Sequence, residues 1–146
     1  MCVSPVTSTG AGFDTAQTTF CLWEAVTMYL DRAAVGATLQ RIARTAPGSV
    51  IALDYYDAGY IASSAPYLLY LREMAKFAGE PSTFGIDNPP PARERAAEYV
   101  GALGLTLEEH RKVGKETRWR RAPAGFVTAR STGRNGTRPS RQTSRR

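Results

Sequence analysis

The sequence predicts an α/β fold in which parallel strands joined by a helix are followed by a late antiparallel hairpin. Two apolar runs of strand length, Thr19-Phe20-Cys21-Leu22-Trp23 and Val50-Ile51-Ala52-Leu53, flank a helical pattern that opens at Asp31, the arrangement of a strand-helix-strand crossover. Leu105-Thr106-Leu107 and Gly125-Phe126-Val127-Thr128-Ala129 then read as two short strands separated by a charged stretch containing Trp119, an antiparallel edge on the same sheet.

Each intervening element has its own local reason. Asp31 can accept hydrogen bonds from the free amides of a following helix, and Ala34, Val35, Thr38, Leu39, Ile42 and Ala43 form one stripe facing the sheet. Pro47-Gly48 stops that helix, and residues 50–55 form the second strand, apolar enough to be covered on both faces. Residues 66–77 predict another helix, with Tyr67, Leu68, Leu71, Met74, Ala75 and Phe77 as its apolar face and Arg72, Glu73 and Lys76 as its solvated face. Pro89-Pro90-Pro91 stiffens the connector to a last helix over residues 92–103, whose buried stripe is Ala96, Ala97, Tyr99, Val100 and Leu103 and whose stop is Gly104. Residues 1–17, rich in Ser, Thr and Gly, read as a poorly ordered lead-in. Residues 18–129 read as the folded part, and residues 130–146 as a disordered Arg-rich tail.

The net charge of +6 belongs to that tail. Six of the nineteen basic residues lie at or after Arg130, and residues 1–129 balance thirteen basic against thirteen acidic side chains. A neutral folded part cannot present a broad phosphate-binding face, so no specific nucleic-acid partner is expected. Cys2 and Cys21 are too few for a disulfide framework, and no Cys/His grouping has metal-ligand spacing. No apolar run is long enough to span a membrane, and no secretion signal opens the chain, so the expected location is the cytoplasm.

The most telling residue is Glu24, a carboxylate at the end of an apolar strand. Ligands of open parallel sheets bind beyond the carboxyl ends of the strands, which is where Glu24 is placed. It either pairs with a cation or hydroxyl pair of a bound cofactor or forms a solvated strand end or helix cap. Tyr55, Tyr56 and Tyr60, with Asp54 and Asp57, either line an acceptor pocket or pack the sheet edge while the acids cap turns. Tyr29 either faces the same cleft or belongs with Met28 and Leu30 to a packing collar. His110, the one histidine, sits among charged residues on an expected solvated face, and Cys21 lies within an apolar strand where a thiol is inert.

The string Phe20-Cys21-Leu22-Trp23-Glu24-Ala25-Val26-Thr27-Met28-Tyr29-Leu30, with Gly12-Phe13-Asp14 before it and Ala46-Pro47-Gly48-Ser49 after it, resembles the leucine carboxyl methyltransferase-like family of class I S-adenosylmethionine-dependent methyltransferases. Residues 75–81, 84–86, 104–105, 115–117 and 121–126 extend the likeness over roughly residues 12–129. The resemblance implies the carboxyl-terminal half of a Rossmann-like class I methyltransferase sheet, incomplete because no glycine-rich turn after a first strand and no ribose-binding acid precede Glu24. It implies that Glu24 contacts S-adenosylmethionine, with Tyr29, Tyr55 and Tyr56 as substrate-pocket candidates and no catalytic residue assigned. The family usually has Gly where this chain has Ala25. The implied function is methyl transfer to a small-molecule or carboxylate acceptor. The alternative is a non-catalytic remnant or interaction module that self-associates through an exposed sheet edge.

Overall fold

The computed structural model describes residues 12–113 and 123–133. Strand β1 (Phe20–Trp23) leads through a short 3-10 turn at Thr27–Tyr29 into helix α1 (Arg32–Ala43), then strand β2 (Val50–Asp57). Helices α2 (Ala58–Ile61) and α3 (Pro66–Phe77) follow, then the two-residue strand β3 (Gly85–Ile86), helix α4 (Ala92–Ala102) and the hairpin strands β4 (Leu105–Val113) and β5 (Ala124–Ser131). The crossover expected from the sequence is present: β1 and β2 are parallel, with Phe20 opposite Val50 and Trp23 opposite Leu53.

The strand order is β1-β2-β5-β4, with β3 added in parallel to the carboxyl end of β2. Strand β5 is antiparallel to both of its neighbours, so β4 runs in the same direction as β2. A closing hairpin whose last strand inserts beside β2 gives the predicted antiparallel edge.

The core lies on one face of this sheet, beneath α1 and α4. Val35, Leu39 and Ala43 of α1 meet Ile51, Leu53 and Tyr55 of β2, Val127 and Ala129 of β5, and Ala96 and Val100 of α4. These are the stripes read from the helical spacing, and each fully buried aliphatic side chain contributes about 1.5–3 kcal/mol. Asp31 caps α1, its Oδ1 accepting from the Ala34 amide at 2.7 Å. Gly104 ends the α4 connection at φ +89°, the left-handed stop that glycine accommodates.

Three expectations change. Strand β1 alternates instead of being buried throughout. Cys21 and Trp23 pack against the core, whereas Phe20 and Leu22 are 65% and 61% exposed, because β1 is the sheet edge and its second face has no covering helix among the described residues. Strand β4 does not stop at Leu107 but carries Glu108 to Lys112 within it, as an edge strand can, with an irregularity in register between Leu107 and Glu109. Helix α3 has no buried residue. Tyr67, Met74 and Phe77 are exposed, and the half-buried side runs through Leu68, Arg72 and Ala75, because α3 rests on α2 and not on the sheet.

Strand β5 continues through Arg130 to Ser131, whose buried hydroxyl donates to the carbonyls of Ala43 and Thr45 at 2.8 and 3.2 Å. Trp119 and the remaining charged residues of 114–122, the first eleven residues and residues 134–146 lie outside the described residues.

Gly125 governs how β5 passes β2. A Cβ there would sit 2.4 Å from Cζ and Oη of Tyr55, a fully buried ring with no room to withdraw. We expect Gly125→Ala to cost about 1–3 kcal/mol, the usual penalty of overpacking a core. In urea denaturation the double change Gly125→Ala with Tyr55→Leu should cost less than the sum of the two single changes, since shortening Tyr55 opens the space the new methyl needs.

Candidate functional site

Everything placed at the carboxyl ends of β1 and β2 depends on how the Glu24–Ala25 turn is tied down. The Ala25 amide donates to Asp54 Oδ1 at 2.9 Å, and Thr27 Oγ1 donates to the Asp54 carbonyl at 2.6 Å. Ala25 has φ +57°, a left-handed conformation that costs an L-residue roughly 1–2 kcal/mol and that glycine would take freely. The turn therefore asks for glycine on backbone grounds, apart from any ligand, and Asp54 holds the alanine in place.

Glu24 itself is exposed, and its carboxylate has no partner among the described residues. It is not the cap of the following helix, a role Asp31 fills. An exposed acid just past a strand end with no partner among the described residues suits a ligand that offers hydroxyls or a cation.

The 3-10 turn separates its residues. Met28 is buried and accepts from the amides of Thr83 and Phe84 at 2.7 and 3.3 Å, while Thr83 Oγ1 donates to the Leu30 carbonyl at 2.8 Å. Tyr29 turns outward. With Tyr56 and Tyr60 it lines a cavity of about 220 Å³, completed by Ile61, by Leu68, Leu71, Arg72 and Ala75 of α3, and by Glu80 and Ser82. The Tyr56 and Tyr60 rings meet edge to face at 6.2 Å. Burial, then the neighbouring Tyr29, Tyr60 and Asp54, push the Tyr56 hydroxyl above its ordinary range, so it stays protonated at neutral pH.

Of the residues singled out in the sequence, Tyr29 and Tyr56 come together in this cavity. Tyr55 does not. Adjacent strand residues face opposite sides of a sheet, and Tyr55 points into the core, where its hydroxyl donates to Asn88 Oδ1 at 3.2 Å and meets His110 Nε2 at 2.6 Å. Asp57 is buried, capping α2 through Tyr60 N and accepting from the Asn88 amide, both at 2.7 Å. Arg72 was expected on a solvated face and is half-buried instead, its Nη1 donating to the Ile61 carbonyl at 3.1 Å. The signal that would have found it is the spacing Leu68, Arg72, Ala75, which is helical but carries a cation in its middle.

His110 also departs from the solvated face expected of it. It is half-buried against Tyr55, the two rings stacked with centroids 6.2 Å apart. Asn88 Nδ2 donates to the Ala124 carbonyl at 2.9 Å, which turns Asn88 Oδ1 toward Tyr55. The Tyr55 hydroxyl thus shares hydrogen bonds with Asn88 Oδ1 and His110 Nε2, and the imidazole tautomer sets which partner donates in the second. Among the described residues no group of three or more His, Cys, Asp or Glu side chains could hold a metal, and no helix is long and apolar enough to cross a membrane.

Known proteins resemble this chain in the sequence segment around Glu24 and in overall fold. Residues 7–43 match the leucine carboxyl methyltransferase family model. The family likeness carried by the Trp23-to-Leu30 string thus stands over the segment that holds β1, Glu24 and α1. In structure the chain is similar to a SAM-dependent methyltransferase from Methanosarcina mazei, at 12% identity and a TM-score of 0.50 over 81% of this chain and 60% of that one. It is likewise similar to a DUF574 family protein from Streptomyces avermitilis, at 16% identity and a TM-score of 0.53 over 82% of this chain and 46% of that one. The chain therefore spans about half to three fifths of the length of these structures. Its fold is a part of the class I methyltransferase fold, an open α/β sheet whose parallel strands give way to an antiparallel hairpin. No curated protein matches the sequence.

Burial, then the charges of Lys112 and Arg93, holds the His110 pKa below its ordinary value of 6.5, with Glu94 opposing. The unfolded chain then binds the proton more readily than the folded one. The stability His110 contributes is complete above pH 6.5 and is lost as pH falls below that value toward the lower folded one. Urea midpoints measured across this window should decline for the wild type and decline less for His110→Gln, which has no charge to gain.

Proposed function

We propose that this chain is the carboxyl-terminal part of an S-adenosylmethionine-dependent methyltransferase, in which Glu24 contacts the cofactor and the cavity of Tyr29, Tyr56 and Tyr60 receives a small-molecule acceptor. The observation that carries the reading is a methyltransferase-like fold with an unpartnered acid, Glu24, directly after β1 and a tyrosine-lined cavity by the carboxyl end of β2 whose lining does not include Glu24. Residues 1–17 are then a lead-in and the folded part begins at 18; the boundary expected at 129 moves to Ser131, which closes β5, with the tail after it. S-adenosylmethionine, when bound, supplies a methyl group on a sulfonium, already activated for displacement by an acceptor oxygen, nitrogen or carboxylate. The residues of this chain bind and orient. Holding two reactants at near-attack distance lowers a barrier by about 7–11 kcal/mol in favourable cases, so no general base is required of them. Elements for the methionine and ribose portions, a glycine-rich turn and a second strand-end acid, do not accompany Glu24 among the described residues. The proposal accordingly assigns methyl transfer to the whole enzyme and not to this chain alone.

Calorimetric titration with S-adenosylhomocysteine, the demethylated product, tests the cofactor contact. We expect measurable heat, and Glu24→Gln should weaken binding by about tenfold or more, the worth of a hydrogen bond to a charged group. A folded sample that gives no heat, or an unchanged affinity in Glu24→Gln, refutes the role of Glu24.

Exposed Phe20 and Leu22 favour a second reading, association through the open edge of β1. Strand β1 carries neither charge nor proline, the features that normally protect an edge. Sedimentation velocity should then show a self-associating species that Leu22→Lys reduces to monomer; a wild type that is monomeric at high concentration rejects it.

A further inference from the structure

Beyond its place in the fold, the tyrosine cavity states what it would hold. Its volume of about 220 Å³ lies below the ~300 Å³ at which sites for drug-sized ligands begin, so its occupant has one or two rings. Tyr56 and Tyr60 present two aromatic walls at 63° to one another, a face and an edge against which a planar ring packs with favourable quadrupole geometry. Aliphatic atoms of Ile61, Leu68 and Leu71 supply the rest of the wall.

Arg72 is the cation in this lining. It belongs to α3, is half-buried, and is steered by one hydrogen bond from Nη1 to the Ile61 carbonyl. A guanidinium has several further donors in a planar fork, suited to an anionic oxygen pair, and in a partly apolar wall each such bond is stronger than in water. Glu73, the neighbouring acid, is engaged with Lys76 at 2.8 Å. Glu80 stands on the rim and is exposed, where its charge disfavours a second negative group on the ligand. The loop that carries Ser82 is fastened to the Tyr29 turn through Thr83 and Met28, so both sides of the cavity are held before any ligand arrives.

We propose that this cavity binds a small planar aromatic monoanion, its ring against Tyr56 and Tyr60 and its charge on Arg72. The inference rests on reading the cavity as the acceptor site and narrows the acceptor to a class. Because it concerns binding to this chain's own residues, its test uses no cofactor.

The probes are trans-cinnamate, cinnamyl alcohol, which keeps the ring and loses the charge, and cyclohexanecarboxylate, which keeps the charge and loses the ring. Calorimetry or saturation-transfer NMR on the full chain should give cinnamate at least tenfold tighter than either analogue. Arg72→Gln should erase the preference over the alcohol, and Arg72→Lys should retain part of it; Tyr60→Leu should weaken cinnamate and the alcohol alike. Circular dichroism melts identify variants that fail to fold, and the wild-type ratios decide the matter without them. Equal binding of cinnamate and cinnamyl alcohol overturns the role of the charge. Equal binding of cinnamate and cyclohexanecarboxylate overturns the role of the ring, and no cinnamate binding to folded wild type overturns the whole. Silence toward S-adenosylhomocysteine with the cinnamate preference intact refutes only the methyltransferase reading, and the reverse pattern refutes only this one.

Discussion

The parallel register of β1 against β2 is the constraint on which the site depends. Pairing Phe20 with Val50 and Trp23 with Leu53 ends β1 beside the middle of β2, which runs on to Asp57, and so sets the Glu24–Ala25 turn next to Asp54. A one-residue slip would turn Cys21 and Trp23 out of the core and Phe20 and Leu22 into it. It would also take Ala25 away from Asp54. The hydrogen bond from the Ala25 amide to the Asp54 carboxylate is thus a register mark as well as a loop anchor, and it gives the acid in the middle of β2 a structural task. The left-handed backbone at Ala25 is the local cost of turning the chain so sharply at that point.

Sheet alternation then sorts the tyrosines. Tyr55 and Tyr56 are adjacent in sequence and do unrelated things: one is sealed in the core and bonded to Asn88 and His110, the other opens onto the cavity with Tyr60. The buried hydroxyl of Tyr55 is held far above its ordinary range, first by burial and then by the charge of Asp57. It is a structural hydrogen-bonding group and not an acid-base one. Gly125 lets the ring lie across β5, so a single missing side chain on one strand permits a bond between residues on the strands to either side.

Much of this was legible in the sequence, and the unread part has a physical reason. The crossover, the α1 and α4 stripes, the Asp31 cap and the Gly104 stop are local or periodic signals, and each is where the residues put it. The exposure of Phe20 and Leu22 was not readable, because an apolar run looks the same on an edge strand and on a central one. Helix α3 differs for a related reason: it has more apolar residues than its packing against α2 covers, so composition does not fix which side faces inward. The half-buried side of Arg72 is marked only by its helical spacing with Leu68 and Ala75, while the fold of its guanidinium back to the Ile61 carbonyl has no sequence signal. The charged neighbours of His110 mask its burial in the sequence, whereas strand alternation puts the adjacent Glu109 and Arg111 on the other face and leaves Lys112 on the same face as His110.

The unequal covering of the two sheet faces connects the fold to the function. One face is closed by α1 and α4 and carries the core; the other bears Phe20 and Leu22 on β1, with Val50 and Phe126 only partly buried beyond them. A class I sheet is covered on both faces, and an open parallel edge is rare in a finished fold. The same edge is the one from which Glu24 projects. Whatever pairs with β1 therefore lies beside the acid proposed to hold the cofactor, and covering Phe20 and Leu22 would also remove water from around Glu24 and strengthen its hydrogen bonds. On the proposed reading, assembly at this edge would be coupled to cofactor affinity through a single strand, with the sign that pairing favours binding.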